Sequence, residues 1–176
     1  MNLIHRPLPD ADLRTLLGND LKILKYSQPA NYADLDQLLT KPTDYCIILY
    51  EEHLNEGHWT GLCKYNDMFE HFDSYGVSPD SELKWISSRL RQQLKENVPY
   101  LSNLLRKHAY LYNTMKFQSR EHSVNTCGSH VAHRLFRLRN EGMNLKQYQD
   151  YMKELKKQTQ MSYDYIVADW VKSELN

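Results

Sequence analysis

Three residues that could carry out covalent chemistry follow one another along this chain in the order His58, Asp73 and Cys127. Cys127 opens a predicted helix, and the unpaired N–H groups at a helix N-terminus stabilise a thiolate. An imidazole such as that of His58 can accept the thiol proton, and a carboxylate such as that of Asp73 can orient the imidazole. Together they would supply a cysteine nucleophile with its base and its orienting acid.

The secondary structure predicted upstream of Cys127 brings the histidine and the aspartate together. Residues 58–65 are typical of a strand, Asn66-Asp67 of a tight turn, and residues 68–72 of the following strand. A hairpin pairs the start of its first strand with the end of its second. We therefore expect His58, at the start of the first strand, to lie beside Asp73, at the end of the second.

Hydrophobic periodicity along the whole chain predicts an α+β fold, with a small central mixed or antiparallel sheet flanked by helices. No repeat, linker or boundary is visible, so residues 1–176 are expected to form a single domain. The other predicted elements are short helices at 10–17 and 31–40, a strand at 45–50 buried on both faces, a turn at 55–57, a long amphipathic helix from 79 or 80 to about 97, a strand at 110–112, and helices at 127–140, 144–157 and 162–174.

The composition favours a soluble intracellular protein. The chain has 22 basic and 22 acidic residues, and this balance argues against a protein built mainly to hold nucleic acid. The arginines at positions 134, 137 and 139 are interpreted as a solvated helix face. Three widely spaced cysteines do not suggest a disulfide framework, and Cys46 and Cys63 lie in apolar strand patterns. No membrane-spanning run or signal peptide is expected.

The residues around the predicted nucleophile suggest how a developing oxyanion would be held. The backbone N–H of Cys127 is one candidate donor, and a side-chain amide is the other. Gln118 is the glutamine that most closely precedes Cys127, while Asn113 and Asn125 are rivals, Asn125 being better suited to cap the helix. Gly128 is expected to leave the thiol face open for the backbone of a substrate.

A zinc site is the alternative to the nucleophile hypothesis. Cys127, His130 and His133 stand at i, i+3 and i+6, and the last of these turns away from the helix face shared by the first two. Four soft ligands at zinc-binding spacing are also absent from the sequence. We therefore predict no metal site and no cofactor.

The ordered set resembles the cysteine proteases of the adenain type and the related SUMO-specific proteases. The resemblance rests on His58-Trp59, Phe72-Asp73-Ser74, Gln118 and Cys127-Gly128, and it covers about residues 45 to 140. The phrase Thr126-Cys127-Gly128-Ser129-His130 is similar to that of maturation proteases of virophages, Polinton-like elements and large DNA viruses. Gln118 and Cys127 are nine positions apart, a gap a few residues longer than is usual in that family.

This resemblance implies a viral cysteine endopeptidase with an adenain-like fold. It would cleave capsid or other virion precursors through an acyl-enzyme on Cys127, with Gln118 at the oxyanion. Small residues such as glycine are expected near the cleaved bond, and Trp59 and Gly128 would line the substrate channel. The protein would act in the host cytoplasm or viral factory and could be packaged in the virion. The alternatives are a peptidase that removes SUMO or ubiquitin-like proteins, and an inactive binding domain of the same fold.

Overall fold

A computed structural model describes residues 3–176, and its sheet and helices confirm the α+β class. Short 3-10 turns lie at Leu3–His5, Gln28–Asn31 and Ser81–Lys84. The strands are β1 (Lys22–Lys25), β2 (Asp44–His53), β3 (Glu56–Tyr65), β4 (Met68–Phe72) and β5 (Tyr110–Tyr112). The helices are α1 (Asp10–Leu17), α2 (Leu35–Leu38), α3 (Ser88–Gln93), α4 (Tyr100–Leu105), α5 (Cys127–Glu141), α6 (Leu145–Thr159) and α7 (Tyr163–Leu175).

The five strands form one mixed sheet in the order β1-β2-β3-β4-β5. The three central strands are antiparallel, and each outer strand runs parallel to its neighbour. The hairpin between β3 and β4 closes at Asn66 and Asp67, whose φ angles of 50° and 57° are both left-handed. Two such residues form the kind of tight turn that matches the twist of a hairpin. The predicted hairpin is therefore confirmed.

Both faces of the sheet are covered, which explains the uninterrupted apolar run in β2. Cys46, Ile48 and Tyr50 point into a core closed by the short helices α2 and α4. Ile47 and Leu49 point into the other core, which is larger. Successive strand residues alternate between faces, so a strand buried on both sides must be apolar throughout. The larger core is filled from α1, α5, α6 and α7, with Leu13, Val131, Leu135, Met152 and Val167 among its buried residues.

Arg134 corrects the interpretation of the arginine cluster as a solvated face. Its side chain is fully buried, and its Nε and Nη2 donate to the two carboxylate oxygens of Glu70 on β4, at 2.8 and 2.6 Å. Arg134 lies on the side of α5 that packs against the sheet, one residue before the apolar Leu135. Arg137, one turn later, does reach the surface, where it pairs with Glu141.

The predicted long helix from 79 or 80 to about 97 is wrong. The segment is instead a 3-10 turn at Ser81–Lys84 followed by the separate helix α3. Asp80 has a left-handed φ of 65°, which a continuing helix does not allow, and its carboxylate is bound by the hydroxyls of Tyr26 and Tyr50. The Ser87 hydroxyl then accepts from the N–H of Leu90 and starts α3 afresh. Tertiary hydrogen bonds therefore outweigh the helical periodicity.

Two shorter predictions also need correction. The turn between β2 and β3 lies at residues 54–55, so Gly57 is already part of β3, and a bulge falls between Glu51 and His53. The helix predicted over 31–40 shrinks to the single turn of α2, where Asp34 caps the chain after the 3-10 turn at Gln28–Asn31. Helix α4 was not predicted at all.

The predicted helices at 127–140, 144–157 and 162–174 are confirmed as α5, α6 and α7. Ser162 caps α7 as expected, because its side chain accepts from the N–H of Tyr165. Among residues 3–176, no helix has the length and apolar character needed to cross a bilayer.

Candidate functional site

The hairpin brings His58 and Asp73 into direct contact. Gly61 of β3 pairs with Phe72 of β4, so the start of β3 lies beside the residues that follow β4. The Nε2 atom of His58 lies 3.0 Å from the Oδ1 atom of Asp73, and both side chains are buried. The same carboxylate oxygen accepts from the backbone N–H of Tyr75 at 2.8 Å. Asp73 is thereby fixed from two sides and holds the imidazole in one orientation.

Cys127 is the first residue of α5, and its sulfur lies near enough to the His58 side chain to raise the pKa of the imidazole. The thiol is not completely enclosed, since the residue is 8% exposed. No side chain caps the helix, because the hydroxyl of Thr126 donates to Asp164 instead. The first-turn N–H groups of α5, including that of Cys127, therefore have no side-chain acceptor.

Electrostatics keeps the histidine and the aspartate in their charged forms. Burial alone would lower the pKa of His58, but the Asp73 carboxylate and the Cys127 sulfur raise it well above its usual value near 6.5. Burial would likewise raise the pKa of Asp73, and the charge and hydrogen bond of His58 bring it below its ordinary value. The arrangement thus favours an imidazolium held between a carboxylate and a sulfur atom.

Gln118 lies in the loop network that connects the end of β4 to the start of α5. Its Oε1 accepts from the Ser74 hydroxyl at 2.7 Å, and its Nε2 donates to the Val124 carbonyl at 3.2 Å. Within the described residues, its amide makes no direct hydrogen bond to Cys127. The oxygen of Gln118 is therefore occupied by Ser74, and the amide nitrogen points along the loop that leads to Cys127.

Asn113 and Asn125, the alternative candidates for the oxyanion donor, hydrogen-bond to other groups. The Asn113 nitrogen donates to the carbonyls of Asp73 and Met115, and its oxygen accepts from Gln149. Asn125 does not cap α5, because its side chain donates to the carbonyl of His5. Asn113 therefore braces the backbone of the site, and Asn125 ties the loop before Cys127 to the N-terminal segment.

Asp164 on α7 was missed by the sequence analysis, although it joins both loops of the site. Its Oδ2 accepts from the backbone N–H of Ser119 at 3.0 Å, next to Gln118. Its Oδ1 accepts from the Thr126 hydroxyl, next to Cys127, and lies 3.0 Å from the His130 Nε2. Asp164 carries no local sequence signature, because all three partners lie on other segments.

Replacing Asp164 tests this bracing. Asp164→Asn leaves a buried N–H or hydroxyl donor without an acceptor, so we expect the free energy of unfolding to fall by about 1–3 kcal/mol. The rate of Cys127 alkylation should also fall, because the loop before the thiol loses its anchor. Chemical denaturation and mass spectrometry of the alkylated protein measure the two effects. The exposed Asp169 on the same helix supplies the control Asp169→Asn; equal effects for both variants would contradict the bracing.

Trp59 and Gly128 lie together beside a cleft of about 740 Å³. Trp59 lines it along with Pro7 and Leu8 of the N-terminal segment. A Cβ on Gly128 would come within 3.0 Å of the Leu8 Cβ and 3.1 Å of the Trp59 ring. The space expected to be open above Gly128 is thus filled by these two residues, and the missing side chain is what allows them to approach.

A second cleft of about 500 Å³ lies next to His58 and was also missed. Tyr75 stacks on the His58 ring at 4.8 Å and forms part of its lining. Glu82 lines it as well, and its carboxylate lies within 4.8 Å of the facing atoms of His58 and Asp73. The only sequence signal for Glu82 is its position a few residues after the hairpin of β3 and β4.

Two groups of side chains in the described part of the chain have metal-ligand spacing. One is the set His58, Asp73 and Glu82, and the other is Asp34, Asp36 and His108. In the first, His58 and Asp73 already bind each other. In the second, Lys64 already pairs with Asp36. The alternative zinc site of Cys127, His130 and His133 does not form a ligand cluster in the described residues. His130 is hydrogen-bonded to Asp164, and His133 is hydrogen-bonded to Tyr148.

Comparison of the fold finds solved structures of proteases. The SUMO protease Ulp1 with its catalytic cysteine oxidized to a sulfinic acid aligns over 97% of this chain and 80% of its own, at 12% identity and a TM-score of 0.43. A structure described as the de-sumoylating protease aligns over 93% of this chain and 74% of its own, at 13% identity and a TM-score of 0.38.

Comparison of the sequence identifies a viral relative. Protein V9 of Sputnik virophage, described as uncharacterized, is 36% identical over 148 residues, which are 82% of this chain and 84% of V9. The chain belongs to the same protein family as V9. No established family model matches the sequence.

Proposed function

We propose that the protein is a cysteine peptidase with Cys127 as its nucleophile. The observation that carries the proposal is the buried 3.0 Å contact between His58 and Asp73, with the Cys127 sulfur beside the same ring at the start of α5. Since Nε2 of His58 faces Asp73, Nδ1 is the nitrogen that can exchange a proton with the thiol. An imidazolium beside a sulfur at a helix N-terminus stabilises the thiolate, which is the reactive form.

The reaction follows from these positions. The Cys127 sulfur attacks the scissile carbonyl carbon, and the resulting oxyanion is held by the backbone N–H of Cys127 and by the amide of Gln118. The tetrahedral intermediate collapses as the C–N bond breaks, and His58 gives its proton to the leaving amine. Water activated by His58 then hydrolyses the thioester and restores the thiol. Throughout, Asp73 orients the ring and stabilises its charge.

The proposed role of Gln118 is supported by the network that holds it. Because the Ser74 hydroxyl occupies its oxygen, the amide can present only N–H groups to the loop before Cys127. Binding of a substrate carbonyl would draw one of these N–H groups from its 3.2 Å contact with Val124 towards the oxyanion. The residues between Gln118 and Cys127 form a loop, and Asp164 binds both of its ends, at Ser119 and at Thr126. The loop therefore accommodates the long sequence separation.

The proposed substrates are capsid or other virion precursor proteins, cleaved in the host cytoplasm or viral factory or within the particle. Kinship with a virophage protein supports a viral setting. Leu8 and Trp59 pack against Gly128 and leave little room beside it, which supports small substrate residues such as glycine near the cleaved bond. Incubating the purified protein with candidate precursors and with ubiquitin-like conjugates separates precursor processing from deconjugation.

Thiol alkylation tests the peptidase proposal without a known substrate. Between about pH 6 and pH 7, we expect iodoacetamide to modify Cys127 at least about tenfold faster in the wild type than in His58→Ala, because the imidazolium stabilises the thiolate. The pKa of His58 is raised, so its positive charge persists through neutral pH. The advantage should shrink as the pH rises further and His58 loses its proton.

Mass spectrometry after digestion assigns the modification to Cys127. The remaining thiols, those of Cys46 and Cys63, are fully buried and should stay unmodified in the folded protein. His53→Ala is the matched control, since His53 is an exposed residue at the end of β2. Equal alkylation rates in the wild type and His58→Ala at every pH would favour an inactive binding domain instead.

A further inference from the structure

We propose that the second cleft, lined by Glu82, Tyr75, Trp85 and Arg120, binds a lysine or arginine side chain of the substrate protein. We call these four residues the cationic slot. This inference rests on the proposed peptidase function, because it identifies the ligand as part of the cleaved chain.

Glu82 is the first argument for the cationic slot. The residue is only 5% exposed, and among residues 3–176 its carboxylate makes no hydrogen bond or ion pair, although the His58 ring lies within 4.8 Å. Buried carboxylates are normally paired, because removing a charge from water is costly unless a partner replaces the solvent. Glu82 faces the cleft, so the missing partner would come from whatever enters it.

The aromatic walls are the second argument. The guanidinium of Arg120 lies 5.4 Å from the centre of the Tyr75 ring and 5.7 Å from that of the Trp85 ring. Trp85 is 66% exposed, which is unusual for so large an apolar side chain. Rings in this position attract cations to their faces. The chain's own arginine therefore shows that a cation fits here.

The charges around the rim favour a cationic ligand as well. Glu52 and Glu121 join Glu82 in the lining, against one arginine. Arg120 is exposed and held mainly through the two rings, so an incoming lysine or arginine can displace it towards solvent.

The position of the cationic slot makes it part of the substrate path. Glu52 and Asn125 line both this cleft and the cleft beside Trp59. A chain lying across the Cys127 thiol would therefore have one end near Trp59 and the other near Glu82. The basic residue would stand a short distance from the cleaved bond, on the side opposite Trp59.

The selectivity of the cationic slot should depend on pH. Burial and the negative charges of Asp73 and Glu52 raise the pKa of Glu82 to about 7, whereas His58 and Arg120 act to lower it. Glu82 is therefore mostly neutral below that pH and charged above it. The preference for basic over neutral side chains should grow between about pH 6 and pH 8.

A peptide library with every position varied tests the proposal. The wild type should cleave peptides with lysine or arginine at one position about tenfold better, in kcat/KM, than peptides with glutamine there. Glu82→Gln should bring the ratio of kcat/KM for basic over glutamine peptides close to one, whatever its absolute rate on either peptide. Arg120→Ala should strengthen the preference for basic peptides, because the competing cation is gone. The control Glu174→Gln changes an exposed acid on α7 and should behave like the wild type.

Charged thiol reagents give a second readout that needs no substrate. A methanethiosulfonate carrying an ammonium group should modify Cys127 faster than a neutral one, and Glu82→Gln should reduce this ratio several-fold. Cys127→Ser gives the background.

The two readouts distinguish failure of the cationic slot from failure of the peptidase proposal. No preference for basic peptides, or an equal preference in Glu82→Gln, would overturn the slot. If the wild type cleaves no peptide at all, the peptidase proposal fails, and an equal reagent ratio in the wild type and Glu82→Gln would then overturn the slot independently.

Discussion

Asp73→Ala is expected to lower kcat by about 10³- to 10⁴-fold on any peptide that the wild type cleaves. The substitution removes both the carboxylate that orients His58 and the charge that stabilises the imidazolium. The pKa of His58 should also fall, because burial lowers it and the Asp73 carboxylate that raises it is gone. KM should change much less, since Asp73 is buried behind His58 and does not line either cleft.

Two controls keep the Asp73 result interpretable. Asp73→Asn retains an acceptor for the His58 Nε2–H without the charge, so its kcat should lie between those of the wild type and the alanine variant. Asp20→Ala removes a carboxylate whose side chain is 84% exposed and should leave turnover unchanged. Circular dichroism establishes whether each variant is folded. Full turnover in a folded Asp73→Ala protein would remove Asp73 from the site.

Glu70→Gln is expected to lower the free energy of unfolding by about 3–5 kcal/mol. Its partner Arg134 is fully buried between α5 and the sheet and would keep its charge without a counterion. The carboxylate also accepts from the Tyr65 hydroxyl, so a second buried group is disturbed. Urea denaturation followed by tryptophan fluorescence measures the loss.

The double variant Glu70→Leu with Arg134→Met is the informative comparison. Replacing both charges with apolar side chains leaves no buried charge without a partner, so much of the lost stability should return. The return should be incomplete by about 1–3 kcal/mol, because the buried Tyr65 hydroxyl loses its acceptor. A loss below about 1 kcal/mol in Glu70→Gln alone would indicate that water reaches the pair and screens it.

The sequence was most informative where the determining contacts are local. The strand from His58, the turn at Asn66 and Asp67 and the strand to Phe72 are each set by neighbouring residues, and the approach of Asp73 to His58 follows from their order. The start of α5 at Cys127 was predictable for the same reason. Each of these features depends on a period or a turn within about a dozen residues.

Features set by distant contacts could not be predicted in the same way. Arg134 looks like any arginine on a polar helix face until Glu70 of β4 is placed against it. Asp80 breaks the predicted long helix because Tyr26 and Tyr50 bind its carboxylate. The amphipathic stripe after residue 80 gives no sign of these partners. The burial of Glu82 beside His58 could not be predicted either, because it depends on the interruption of the predicted helix at Asp80.

The bracing by Asp164 also has a consequence for the order in which the chain is made. Thr126 and Asp164 are 38 residues apart, and Asp164 lies on α7, which follows α6 in the chain. While the ribosome is still adding α6, the loop before Cys127 has no acceptor for the Thr126 hydroxyl or the Ser119 amide. A nascent chain would hold its thiol in an unbraced loop until α7 has emerged and packed against α5.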